Sequence, residues 1–347
     1  TAVGKSALQR STTGGSNTAV GYNSLEFNTT GTGNVAVGSN CLDANTTANN
    51  NTAIGHVALT LNTTGENNTA LGNGALSANT TASNNTAVGY DALDQNTTGT
   101  SLTAVGAQAL DANTNGNSNT AVGINSLGAN TEGSNNVAMG NSALLANTTA
   151  DNNTAVGHIA LSSNTTGHSN VAVGTNALKD NVTSDQNTAV GFNSLHNVTG
   201  ANNTAIGMDA GDNLTSGSNN TCLGRLARPS GATATNEVTL GDTNITALRC
   251  AVQTVSSLSD GRDKTDIIDS PDGLELLNTL RPVKFTWANR EPNEKDGKSE
   301  LGFIAQELDE ALGSKNEYIN AVSKENPDKL EAAYGRFIPI LVKAVQE

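Results

Sequence analysis

The chain has 347 residues, a mass of 35.2 kDa and a formal charge of −14. Hydrophobic residues make up 35%, aromatics 3% and charged residues 14%; the balance is Asn, Thr, Ser, Gly and Ala, which excludes the apolar core of an ordinary large α/β enzyme. Excess acid without clustered Lys and Arg argues against nucleic acid or an anionic membrane as partner. With no apolar run long enough to span a bilayer and no basic, apolar leader at the start, no membrane insertion is expected.

The chain opens on a repeat. Glycine recurs every 17 residues from Gly4 through Gly21, Gly38 and Gly55 to Gly191, then Gly207 follows after 16, and Gly224 and Gly241 after 17 each. The residue before each glycine is apolar, the one before that is Ala in thirteen of fifteen units, and the one before that is Thr or Val. This is a short β-prone run ending at glycine. Leu occupies the fourth position after glycine in the first twelve units, Leu8 to Leu195, and predicts a second short strand or a turn edge. Seventeen residues are too few for a helix pair, and no 3.6-residue stripe is present. One coil of a parallel β-solenoid fits the period, giving a rod of roughly 70 Å at the inter-strand spacing. Interior strands must each donate an N–H, and residues 1–228 hold no proline. Asn columns such as Asn28, Asn45, Asn62 and Asn79 are predicted at the turns, stacked and hydrogen-bonded along the rod.

Val and its Ala neighbour must point to opposite faces of each strand. One face lines the coil. The other is read as the Ala face, small enough for a neighbouring surface to approach closely, so the rod is expected to self-associate along its length, with a closed trimer as the expected symmetry. Units such as Asn17-Thr18-Ala19-Val20-Gly21 with Ser24-Leu25 resemble the head repeats of trimeric autotransporter adhesins. That resemblance implies left-handed parallel β-rolls, three chains to a rod; the 17-residue unit is longer than those heads' usual repeat.

Weaker signals fall at the repeat period. Asn-x-Thr triplets such as Asn45-Thr46-Thr47 match a glycosylation acceptor but are explained by the ladder. His56, His158, His168 and His196 have no recurring Cys or carboxylate beside them, and no Asp column of the calcium-binding kind exists, so no metal and no cofactor are expected. The regular columns leave little room for the paired carboxylates of a glycosidase cleft. Cys41, Cys222 and Cys250 are too few and too scattered for a disulfide framework or zinc motif, and read as reduced structural thiols.

Beyond the repeats the chemistry changes. The last 97 residues carry 30 of the 50 charges. The boundaries read from the sequence are a solenoid over residues 1–242, a linker over 243–258 and a small helix-rich α+β domain over 259–347. Ser270 and Pro271 predict a helix start with Leu274, Leu277 and Leu280 as its stripe. Val283, Phe285 and Trp287 alternate as in a half-buried strand. Gly302 to Leu308 opens a second helix with Ile304, Leu308 and Leu312 on one face. Tyr334, Ile338, Leu341 and Val345 form a last stripe suited to a bundle or to symmetry mates, with Pro339 at its start or at a kink.

The order of Ser259-Asp260-Gly261-Arg262-Asp263-Lys264, Leu280-Arg281-Pro282-Val283, Gly302 to Leu308 and the ending Lys343-Ala344-Val345-Gln346-Glu347 resembles the C-terminal intramolecular chaperone of phage tail spikes, tail fibres and endosialidases. The resemblance implies a domain that drives trimer assembly and then cuts itself off before the serine. Ser259 would be the nucleophile, Lys264 the base and Leu258–Ser259 the scissile bond, in a single-turnover serine peptidase with no external substrate. Locally, five residues with Gly261 among them let the chain turn back so that Lys264 reaches Ser259, whereas Asp260, Asp263 and Asp266 favour a charged ammonium. The expected role is a homotrimeric phage tail fibre or spike, made in the host cytoplasm, carried on the virion and directed at a host-surface glycan or protein. The alternatives are a cellular trimeric adhesin, for which no membrane-anchor barrel pattern is present, and an ice-binding solenoid with ranks such as Thr29-Thr30 and Thr46-Thr47.

Overall fold

The computed structural model describes residues 1–245, 259–288, 297–324 and 330–347. The chain divides into two compact units, Thr1–Gly241 and Asp242–Glu347.

The first unit is a parallel β-solenoid. Fifteen short strands, β1 (Ala2–Val3) to β15 (Val238–Leu240), form one sheet in strict chain order. Every pairing is parallel and joins equivalent columns, as in Thr86↔Thr103, Ala87↔Ala104 and Val88↔Val105. The short unit keeps register too, since Thr188 pairs with Thr204. The glycines that end the strands from Gly4 to Gly207 are each required twice over. Gly38 has φ +146°, and a Cβ there would lie 2.2 Å from the Gly55 carbonyl oxygen of the next coil, a conformation and an approach that only glycine allows.

The strand faces are the reverse of those expected. The Ala column is the inside of the coil: Ala19, Ala36, Ala53, Ala87 and Ala121 are fully buried. The residues on either side point out, and Ile54, Leu71, Met139 and Ile206 are among the exposed large hydrophobics. A 17-residue coil is too narrow to hold branched side chains on this wall, so the small residue goes in and the large one goes out. The bulk of the interior comes from the opposite wall, where Leu25, Leu42, Leu59 and their counterparts are fully buried.

Nor does that wall form a second strand. Leu25 and Leu42 have φ +52°, and Asn23 and Asn40, two residues earlier, have φ +53°. The region is a turn whose alternate residues are left-handed, a conformation unusual for leucine. The turn nevertheless ladders with its neighbours: Asn40 N–H donates back to the Tyr22 carbonyl at 2.8 Å, and Leu42 N–H donates forward to the Ala58 carbonyl at 3.0 Å. Backbone hydrogen bonding and burial of the leucine hold a geometry that leucine would not choose alone.

Asparagine completes the interior. Asn45 is fully buried and donates to Asn28 Oδ1 at 2.8 Å and to the Ala48 carbonyl of its own turn at 3.2 Å. A second column, from Asn17 through Asn34 to Asn220, is buried as well; Asn34 Oδ1 accepts from Asn51 N–H at 2.9 Å while its Nδ2 donates to the Ala48 carbonyl at 2.8 Å. The two columns thus pair most of the inward-facing polar groups of a turn that would otherwise be buried unpaired; Asn181 Oδ1, at the end of the first column, is an exception. Burial also removes Asn45 from reach of any glycosylating enzyme in the folded chain. Cys41, in the turn beside Leu42, and Cys222, at the Ala position of the strand Thr221–Leu223, are free and buried, and burial pushes the Cys41 thiol up to about 12. Cys250 lies outside the described residues, as does most of the 243–258 linker.

The second unit is small and mixed. Helix α1 (Leu274–Leu277) is a single turn, shorter than the stripe predicted: Pro271 precedes it, Leu280 lies beyond it, and Leu276 rather than Leu274 is buried. Strand β16 (Val283–Thr286) pairs antiparallel with β17 (Ser299–Gly302), with Val283 and Phe285 on its less exposed face. Helix α2 (Ala305–Leu312) starts three residues after Gly302, which closes β17 instead, and it buries Leu308 and Leu312 as predicted. After α3 (Asn316–Ile319) and the β18 (Val322–Ser323) and β19 (Glu331–Ala332) pair comes α4 (Ile338–Gln346), with Pro339 in its first turn. The core is Leu276, Leu308, Leu312, Ile319, Ala321, Val322, Phe337 and Ile340. In α4 the core residue is therefore Ile340, while Ile338, Leu341 and Val345 of the predicted stripe are exposed in this single chain. Glu347 ties the last residue back, its carboxylate accepting from Leu274 N–H at 2.8 Å.

Candidate functional site

The residues singled out from the sequence meet at the start of the described part of the second unit. Gly261–Asp263 form one 3₁₀ turn, capped by Asp260, whose side chain accepts from Arg262 N–H at 2.9 Å. The turn reverses the chain within five residues. Lys264 Nζ comes within 2.5 Å of Ser259 Oγ and 3.4 Å of the Ser259 carbonyl oxygen. An amine and a hydroxyl at that distance can exchange a proton directly. Leu258, whose carbonyl the serine would attack, lies outside the described residues.

Both residues are exposed in the single chain. The acidic neighbours do not take the lysine. Asp260 is held by Arg262, with Nη2–Oδ2 at 2.5 Å and Nε within 3.1 Å of both carboxylate oxygens. The Arg262 guanidinium, helped by the Arg262 N–H, keeps the Asp260 carboxyl below its ordinary value. Asp266 takes a left-handed conformation, φ +52°, at the end of the reversal.

A second polar cluster was not foreseen. Asp272 is 3% exposed, and its carboxylate accepts from Lys315 Nζ and from Tyr318 OH, each at 2.5 Å. Burial pushes the Asp272 carboxyl up, and the hydrogen bonds from Lys315 and Tyr318 outweigh it, so that it rests below its ordinary value. The partners lie 43 and 46 residues away in sequence, which hides the cluster from any local pattern. It joins the segment before α1 to the turn before α3 and to α3 itself, and so braces the domain that carries Ser259. Arg281 pairs with Glu307 of α2 on the outside of the same domain.

On the solenoid, His168 proves to be part of a column in which most side chains, such as Asn117, Ser134 and Asp151, accept from the backbone of the coil before. Its Nδ1 accepts from Asp151 N–H at 2.9 Å, and its own N–H donates to Asp185 Oδ1 at 2.7 Å. Among the described residues no group of three or more His, Cys, Asp or Glu is placed to hold a metal ion, and no helix is long and apolar enough to cross a membrane. The first threonine of each pair uses its hydroxyl internally: Thr29, Thr46 and Thr63 each donate to the carbonyl of the next coil, at 2.9, 3.3 and 3.0 Å, while the second, as at Thr30 and Thr47, is exposed.

The solenoid of near-identical coils is thus followed in sequence by a small aperiodic unit in which a serine is paired with a lysine. Residues 259–316 match the Peptidase_S74 family, described as the chaperone of endosialidase. The match begins at Ser259 and includes Lys264, Asp272 and Lys315. No curated protein matches the chain.

Proposed function

We propose that the chain is a phage tail-fibre or tail-spike component, a homotrimer whose solenoids form a rod directed at a host-surface glycan or protein. The observation that carries this reading is the chaperone-family match directly behind a solenoid. Such a rod needs help. Because every coil presents the same columns, a slip of one whole unit between chains preserves nearly every contact, and register cannot be set locally. The aperiodic second unit supplies a unique point of contact from which three chains start in register. The exposed Ile338, Leu341 and Val345 on α4 and the outward Val, Ile and Leu column of the rod are the surfaces offered for that contact. The trimer expected from the Ala face is thus reassigned to the opposite side of the same strands. The product would be made in the host cytoplasm and carried on the virion. The ice-binding alternative is left with the exposed second rank, Thr30 and Thr47, since the hydroxyls of the first are bound within the ladder, and the cellular-adhesin alternative rests on the repeats alone.

Release of the domain follows from the same site. Ser259 Oγ attacks the Leu258 carbonyl carbon, Lys264 Nζ takes the hydroxyl proton, and the peptide C–N bond breaks as that proton passes to the departing Ser259 amine. Water then hydrolyses the ester, leaving the Leu258 carboxylate and restoring the serine hydroxyl. A general base must be neutral to act, and contact with symmetry mates would withdraw Lys264 from water and favour that form. Cleavage therefore waits on assembly and makes folding one-way, since the rod loses the module that aligned it. Intact-mass analysis of freshly expressed protein tests this. The expected fragments end at Leu258 and begin at Ser259, while Ser259→Ala and Lys264→Ala stay full length and still assemble. A wild-type assembly that remains whole after prolonged incubation refutes the peptidase step.

A further inference from the structure

We propose that Arg262 is a positioning residue of this site: by gripping Asp260 it keeps that carboxylate off Lys264 and leaves the lysine amine to Ser259. The inference rests on the reading of Ser259 and Lys264 as nucleophile and base. It starts from a local conflict. Three carboxylates, Asp260, Asp263 and Asp266, lie within seven residues of the serine, and a carboxylate beside an amine holds it as the ammonium, which cannot accept a proton. Asp260 is adjacent to Ser259 in the chain and is the most direct competitor.

The geometry resolves the competition in favour of arginine. Both oxygens of Asp260 are taken by Arg262: Oδ2 by Nη2 at 2.5 Å, Oδ1 by the backbone N–H at 2.9 Å, and both by Nε at 3.1 Å. A planar guanidinium satisfies a carboxylate with two parallel bonds and never gives up its charge, whereas a lysine offers a single point charge. The pair also closes the 3₁₀ turn that reverses the chain, so one interaction both shapes the turn and occupies the acid. Among the described residues Lys264 hydrogen-bonds to Ser259 alone, at Oγ and at the carbonyl oxygen, and forms no ion pair with Asp260, Asp263 or Asp266. Arg262 touches neither the hydroxyl nor the amine; it acts through Asp260.

The test uses the full chain and two readouts. The first is the cleavage rate of the assembled protein against pH, by intact mass. Arg262→Ala frees Asp260, and at neutral pH the rate should fall at least about fivefold, the factor for one fully solvated charge pair at contact distance and the lower bound where assembly withdraws the lysine from water, with the pH–rate profile displaced to higher pH. Arg262→Lys should fall between wild type and Arg262→Ala. The double variant Asp260→Asn with Arg262→Ala removes the competitor as well and should return both rate and profile to wild type. A slowed Arg262→Ala with an unmoved profile, or a double variant that stays slow, overturns the proposal, because the arginine would then merely hold the turn.

The second readout does not need cleavage. In the Ser259→Ala background, competitive acetylation of Lys264 read by peptide mass spectrometry against pH reports how readily its amine is free. Arg262→Ala should move that curve to higher pH and Asp260→Asn should move it back; an unmoved curve overturns the proposal. Should wild type prove unable to cut while the acetylation curves move as stated, the nucleophile–base reading fails and the grip of Arg262 on Asp260 stands.

Discussion

Replacing Asn68 by alanine removes one rung of a buried ladder whose neighbours are fixed. Asn68 is 1% exposed. Its Nδ2 donates to the Ala82 carbonyl at 2.9 Å and its Oδ1 accepts from Asn85 N–H at 3.0 Å. In the variant Ala82 keeps a second donor, Asn79 Nδ2 at 3.0 Å, but the Asn85 N–H loses the acceptor it meets inside the coil. An orphaned buried donor costs about 1–3 kcal/mol and a lost hydrogen bond about 1 kcal/mol, so the change should cost roughly 2–4 kcal/mol. For a unit of this size that corresponds to a fall in melting temperature on the order of 10 °C. The chain contains its own control. Leu102 occupies the same column and has no acceptor to offer, so the Asn119 N–H lacks the bond that its counterparts receive. Leu102→Ala should therefore disturb hydrogen exchange at residue 119 far less than Asn68→Ala disturbs it at residue 85. Thermal unfolding with amide exchange resolved by peptide decides the matter. If Asn68→Ala melts within a degree or two of wild type and Asn85 stays protected, the ladder does not hold the coil as argued.

Two further predictions separate the faces and the domains. Ala87→Glu buries an unpaired charge inside the coil and should unfold the local turns, whereas Val88→Glu, one residue on and facing outward, should leave the coil intact by circular dichroism but weaken assembly in sedimentation; equal effects on both would refute the face assignment. In the second unit, the Asp272 carboxyl sits below its ordinary value in the folded state. The stability it contributes is present above the ordinary carboxylate range and is lost as pH falls below about 4 and the group takes up its proton. Acid titration of that unit should show this loss, and Asp272→Asn should be less stable than wild type at neutral pH and lack that part of the acid dependence.

The solenoid was legible because its physics is repeated. Fifteen glycines, spaced 17 residues apart with a single interval of 16, identify the period, and the absence of proline before Pro229 fits a continuous ladder. The inward Ala face was not legible, because burial is usually read from size, and in so narrow a coil size works in reverse. The left-handed leucines were hidden for a related reason: Leu25 has no local preference for φ near +52°, and only its burial and the bonds from the adjacent coils impose it. The first Asn column could be read as a ladder, but the second, from Asn17 to Asn220, was not distinguished because it looks like part of the strand that follows. In the second unit the β16 alternation and the α2 stripe were readable locally. Helix α1 was misread because three leucines at suggestive spacing serve one short turn, and the Asp272 cluster is long-range in sequence. The closeness of Ser259 and Lys264 was foreseeable from Gly261 and a five-residue separation; the pairing of Asp260 with Arg262 was not, because sequence gives the charges without saying which of them meet.

The central claim is that the second unit aligns the solenoids while they fold and is dispensable afterwards. It is tested most directly by making the same product, residues 1–258, along two routes: by cleavage of the assembled full chain, through its own activity or a protease site inserted at Leu258, and by direct expression of that fragment alone. Native mass spectrometry and melting of the two preparations are then compared. The account predicts a heat-stable trimer from the first route and misfolded or aggregated chains from the second. Identical, stable trimers from both routes would contradict it.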